Sequence, residues 1–126
     1  MAGTATVTER NLGTVRKIVW DWTSDNGSPS TGDATKQTDK YYDGEIIAVA
    51  QLPNTGGTQP TNLYDVTITD EEGHDVILGL GANLVNTGPT YKAKKDGLGA
   101  VATSKLTLNV TNAGAAKTGT VIVWLR

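Results

Sequence analysis

The chain has 126 residues with no cysteine, no phenylalanine, 15 glycines and a formal charge of -2. That length suits one hydrophobic core rather than two, and the lack of cysteine excludes disulfide scaffolds, thiolate zinc sites and thiol nucleophiles. Its 11 Lys and Arg are scattered among 13 Asp and Glu, so no basic field is present to neutralise many phosphates, which argues against a nucleic-acid partner.

The segment Met1 to Arg10 lacks a charged start followed by an apolar stretch, and no run approaches about 18 apolar residues, so neither a signal peptide nor a membrane span is expected. Abundant Thr, Val, Ile and Gly favours short strands joined by turns.

Residues 1–13 alternate threonine with small residues and offer little apolar area of their own. They are expected to form an extended N-terminal arm ahead of a single domain over residues 14–126. Thr4, Thr6, Val7, Thr8, Arg10 and Leu12 are its candidate partner-contact residues, because a β-prone arm can add to the edge of a neighbouring sheet.

From Val15 to Thr23 the chain places Ile18, Trp20 and Trp22 on one face at period two, which predicts a strand. The turn formers from Ser24 to Asp33 predict a loop. Lys36 to Tyr42 is polar and reads as a solvated edge strand. Glu45 to Leu52 is apolar on both faces, as in a strand covered on both sides or lying at a subunit contact. Pro53 to Asn62 carries two prolines and adjacent glycines and reads as a long surface loop.

Leu63 to Asp70 alternates, with Tyr64, Val66 and Ile68 inward, and Glu71-Glu72-Gly73 supplies a turn before His74 to Leu78, which predicts a hairpin. Gly79 to Pro89 mixes apolar residues with glycines and reads as a short strand or bulged loop. Lys105–Thr111 and Gly119–Leu125 flank a small-residue connector and are expected to pair antiparallel. About seven or eight strands without a helix predict an all-β fold, an antiparallel β-sandwich or jelly-roll-like pair of sheets sharing one core.

Chemistry finds little support in the residues. His74 is the sole histidine, and although Asp70, Glu71, Glu72 and Asp75 lie close by, Asp, Glu and Gly are favoured in turns for backbone reasons. The spacing lacks the alternating ligands and terminal Glu of a calcium loop. Ser24, Ser28, Ser30 and Ser104 have no nucleophile-elbow context. The Gly56-Gly57 pair and Gly79-Leu80-Gly81 lack the Gly-Lys-Ser/Thr ending of a phosphate loop. Asn109-Val110-Thr111 matches a glycosylation sequon inside a predicted strand and is read as coincidence. Trp20, Trp22 and Trp124 could stack sugars or bases, yet residues at strand period are more often packing. No catalytic residue, cofactor or metal is expected, and the chain is read as a non-enzyme.

Three blocks, Ala5 to Gly13, Tyr64 to Gly73 and Lys105 to Gly114, resemble those of small tailed-bacteriophage virion structural proteins. The resemblance covers most of the chain and implies a virion setting, with no functional residue carried over. Capsid decoration or cementing is the role it implies best. The expected partners are then the major capsid protein and copies of this chain in a homo-oligomer, with no nucleic acid and no membrane. The expected location is the capsid surface, after synthesis in the bacterial host cytoplasm. A neck, tail-completion or tail-tube component and a carbohydrate-binding β-sandwich module are the alternatives.

Overall fold

The computed structural model describes residues 3–25 and 32–126. Among these, nine strands follow in chain order: β1 (Thr4–Asn11), β2 (Arg16–Thr23), β3 (Ala34–Gln37), β4 (Gly44–Pro53), β5 (Asp65–Thr69), β6 (Thr90–Ala93), β7 (Val101–Ala102), β8 (Thr107–Thr111) and β9 (Thr118–Leu125). One 3-10 turn covers Lys94–Asp96. A six-stranded sheet has the order β1-β2-β9-β4-β6, with β7 also paired to β4, and a three-stranded sheet has the order β3-β8-β5. Every named strand pair is antiparallel. The chain is an all-β sandwich.

The alternation seen around Trp20 sets the core. Ile18, Trp20 and Trp22 point inward from β2, Val121, Val123 and Leu125 from β9, and Val66, Ile68, Leu108 and Val110 from the smaller sheet. Each such aliphatic side chain contributes about 1.5–3 kcal/mol on full burial. Trp22 fits because its cross-strand neighbours are small: it pairs with Ala5 on one side and Gly119 on the other. A Cβ at Gly119 would lie 2.5 Å from Trp22 Cζ2, so the missing side chain is the space the indole occupies.

The N-terminal segment differs from the expected arm. Thr4–Asn11 pairs with β2 over eight consecutive residues and is the edge strand of this chain's own larger sheet. Ala5 and Val7 pack on the core at period two, and Gly3 bridges Ala34 of the other sheet. Alternation of small residues suffices because β2 already supplies the bulk, and the backbone ladder does the rest.

Two expected pairings also differ. The Leu63–Leu78 hairpin is reduced to β5 with isolated contacts beyond it, Thr69 to Asp75 and the Val76 N–H to the Ile68 carbonyl. After the turn, Val76 and Ile77 are both buried, and Leu78 takes φ 55° and Gly79 φ 81°, which curls the chain into successive turns. Strands β8 and β9 lie in different sheets rather than forming a hairpin. Their connector crosses the sandwich through left-handed backbone at Asn112, Gly114 and Ala116.

Elsewhere the reading and the structure agree more closely. The expected edge strand at Lys36–Tyr42 is strand only at Lys36 and Gln37, the end of the short edge strand β3 (Ala34–Gln37), and the doubly apolar run is β4, flanked by β9 and β6. A register shift between Ile46 and Ala48 brings both Ile46, opposite Leu125, and Val49, opposite Val123, onto the core face. Strands β6 and β7 come from stretches without clear alternation. Residues 26–31 of the expected loop, including Ser28 and Ser30, lie outside the described residues.

Candidate functional site

The turn around His74 uses its carboxylates to hold backbone. Asp70 Oδ1 accepts the N–H groups of Glu72 at 3.1 Å and His74 at 2.8 Å, and its Oδ2 lies 3.3 Å from His74 Nδ1. The His74 N–H bond is the main influence holding the Asp70 carboxyl below the usual carboxylate range, with the imidazole adding to it. Asp75 accepts three N–H groups, from Ile68, Ile77 and Gly79. Glu71 accepts the Lys105 N–H at 3.2 Å. Among the described residues, no three His, Cys, Asp or Glu side chains gather where a metal ion could be held.

The buried serines are likewise engaged in the scaffold. Ser24 Oγ donates to the Gly114 carbonyl at 2.6 Å and accepts the Lys117 N–H. Ser104 Oγ donates to the Lys105 carbonyl and accepts the Glu71 N–H. Asn109 of the sequon sits within β8, its Nδ2 donating to Thr69 Oγ1. Trp20 is core, with Nε1 donating to the Lys36 carbonyl at 3.1 Å, and Trp22 packs on Tyr64 at 5.9 Å between ring centroids.

Trp124 is different, because it projects from the outer face of the larger sheet. Strand register orders that face into three rows. The central row is Thr8, Val19, Ile122, Ala50 and Tyr91. Below it lie Arg10, Lys17, Trp124, Ala48 and Ala93, and above it Thr6, Asp21, Thr120 and Leu52. Trp124 and Tyr91 meet edge to face at 6.0 Å, and Lys17 Nζ stands 6.0 Å from the Trp124 ring centre. Tyr91 is 62% exposed. An open depression of about 490 Å³ borders the upper row, lined in part by Thr4, Thr6, Asp21, Thr118 and Thr120.

The outer face of the smaller sheet makes an instructive contrast. Its register rows are Thr35, Asn109 and Thr67, then Gln37, Thr107 and Thr69. A face made of Thr, Asn and Gln is content in water, whereas half-buried Val19, Ile122 and Trp124 line up with exposed Tyr91 into a contiguous apolar stripe.

Of the residues expected to contact partners, Thr4, Thr6, Thr8 and Arg10 point outward on this same face, while Val7 turns inward onto the core. Leu12 lies past the strand in the tight turn closed by its N–H to the Val15 carbonyl, and is 58% exposed. Sequence reasoning placed partner contacts on the arm and offered a subunit contact as one reading of the Glu45–Leu52 run. It missed Val19, Ile122 and Tyr91; Ile122 and Trp124 at period two on the second face of β9 were the available signal, while Val19 stands between the charged Lys17 and Asp21 and Tyr91 lies on the short strand β6.

A second, smaller recess of about 190 Å³ lies where Glu9, Arg16 and Tyr42 meet. Burial, then the hydrogen bond to Glu9, pushes the Tyr42 hydroxyl up from its ordinary value. Arg16 pairs with Asp43 at 2.9 Å, so the basic groups here are partly engaged.

No family model matches the chain, and no curated protein matches it. Among solved structures it is similar to the enzymatically active domain of tailspike protein 4 of bacteriophage CBA120, with 16% identity and a TM-score of 0.33. That match covers 96% of this chain and 18% of the other. A likeness of this size carries no argument about fold, activity or partner.

Proposed function

We propose that this chain is a non-enzymatic structural protein of a tailed-phage particle, decorating the capsid surface and bridging shell subunits. The observation that carries the contact role is the outward-facing apolar patch on the larger sheet, where half-buried Val19, Ile122 and Trp124 adjoin exposed Tyr91. The acidic and hydroxyl groups best placed for chemistry support the same reading, since Asp70, Asp75, Ser24 and Ser104 are bound to backbone within the fold. The virion setting rests on the resemblance of the Ala5, Tyr64 and Lys105 blocks. Many bridging domains on a lattice act together, so a modest single contact suffices to oppose internal pressure.

The test is the copy number of this chain relative to the major capsid protein in purified particles, by quantitative mass spectrometry. A ratio comparable to the shell protein is expected. A trace ratio moves the role to the neck or tail, and absence from particles removes the virion reading.

The edge-to-face pair of Trp124 and Tyr91 favours one second reading, a glycan-binding module in which the exposed ring stacks on a sugar. Binding on a glycan array that is lost in Tyr91→Ala would support it.

A further inference from the structure

We infer that the outer face of the larger sheet is covered by a second copy of this chain, packed sheet to sheet about a two-fold axis that runs along the row Thr8, Val19, Ile122, Ala50, Tyr91. The inference rests on reading this face as a contact surface and is independent of the virion setting.

The register supplies the complementarity. A two-fold axis along the central row leaves each residue at its own strand position and exchanges the row above with the row below. Asp21 then faces Lys17 of the copy, because both lie on β2 two residues either side of Val19. Thr120 faces Trp124 of the copy on β9, and Leu52 faces Ala48 of the copy on β4. Off the axis, opposite charges meet and the bulky Trp124 and Leu52 meet smaller side chains, which is what interdigitating sheet faces require. Val19 and Ile122 meet their own counterparts on the axis, forming a dry centre.

The charge pattern favours a copy over an unrelated chain. Arg10 and Lys17 occupy the lower row and Asp21 the upper, so the face is complementary to itself after the exchange. Oppositely charged ends fix register and disfavour other orientations.

The area also fits. Strands about 4.8 Å apart rising about 3.4 Å per residue give the 38 residues of these five strands a flat footprint of about 600 Å². Side-chain relief raises the accessible area toward the roughly 800 Å² per partner of stable pairs. Pairing leaves the polar outer face of the smaller sheet free, so each dimer presents two such faces pointing away from each other.

Sedimentation equilibrium of the full chain tests this. A dimer is expected, and a monomer throughout the micromolar range overturns the inference. Ile122→Arg places a charge at the dry centre and should abolish pairing; a dimer that survives it overturns the inference. Lys17→Asp and Asp21→Lys, each alone, bring like charges together across the axis and should weaken pairing about tenfold or more. The double variant K17D/D21K restores opposite charges and should recover most of the affinity, and failure to recover it overturns the proposed axis. Tryptophan near-ultraviolet circular dichroism verifies that each variant is folded. Dimerisation without incorporation into particles would sink the virion role alone, whereas a monomer present at high copy number would sink this inference alone.

Discussion

The Tyr42 hydroxyl donates a 2.6 Å hydrogen bond to Glu9 Oε1, and the same carboxylate accepts the N–H groups of Asp39 and Lys40. One acidic side chain on the first strand thereby fastens the segment that leads into β4. The N-terminal strand is part of the fold.

Removal of residues 1–12 should therefore lower stability by about 2–3 kcal/mol or more, since it strips β2 of its ladder partner and leaves Tyr42 unpaired. Glu9→Gln should cost about 1 kcal/mol. Urea unfolding reads both. An unchanged midpoint after truncation would return the segment to the status of a free arm.

Gly119→Ala should destabilise by about 1–3 kcal/mol, because the added methyl overlaps the Trp22 ring and no backbone strain is needed to explain the loss. A second substitution, Trp22→Leu, should relieve the overlap, so a double-mutant cycle monitored by denaturant should show strong coupling.

Gln51 is fully buried on β4, and neither its side-chain oxygen nor its nitrogen finds a partner among the described residues. Gln51→Leu should raise stability by about 1 kcal/mol, because an apolar side chain of similar size removes a desolvated amide. A fall in the unfolding midpoint would contradict this account of the site.

Asp75→Ala should cost about 2–3 kcal/mol, since three N–H groups lose a charged acceptor at once. His74→Ala should stay within about 0.5 kcal/mol, the imidazole being largely exposed. Thermal unfolding distinguishes them, and equal losses would show that His74 has a structural role of its own.

Burial pushes the Tyr64 hydroxyl up to about 12, and Tyr42 moves in the same direction. A hydroxyl whose folded value exceeds its unfolded value of about 10 contributes stability that is complete below pH 10 and is lost as pH rises through the folded value. Thermal midpoints should thus decline from about pH 10 to 12, and less steeply in Tyr64→Phe. Asp70 has the opposite sign: its lowered value supports stability above the usual carboxylate range, and that support is lost on acidification. A wild-type alkaline slope retained in Tyr64→Phe would assign the decline elsewhere.

The layered architecture was legible where side chains alternate strongly. Ile18, Trp20 and Trp22 mark β2 as a core strand, and the doubly apolar Glu45–Leu52 run marks β4 as a covered one. What pairs with what was less legible, because β8 and β9 have the same alternation whether they pair with each other or with strands far away in sequence. The choice is made by the left-handed residues Asn112 and Ala116, neither of them glycine, which carry the chain across the sandwich. The His74 hairpin failed for a related reason: Asp75 draws three amides to itself, which no period-two pattern encodes. At the candidate contact face, Trp124 was noticed as an aromatic residue, but its outward direction follows only once β9 is seated between β2 and β4.

That seating governs how the chain reaches its native state. Strand β9 is the last of the nine in chain order, yet it lies in the middle of the larger sheet, holding β2 on one side and β4 on the other. During synthesis β2 and β4 stay unjoined until Leu125 has emerged, so the larger sheet completes only after its other strands have been made. Its pairings span long sequence separations, which slows folding. The interval is when the nascent chain is most exposed to aggregation, and it is when a chaperone would be of most use.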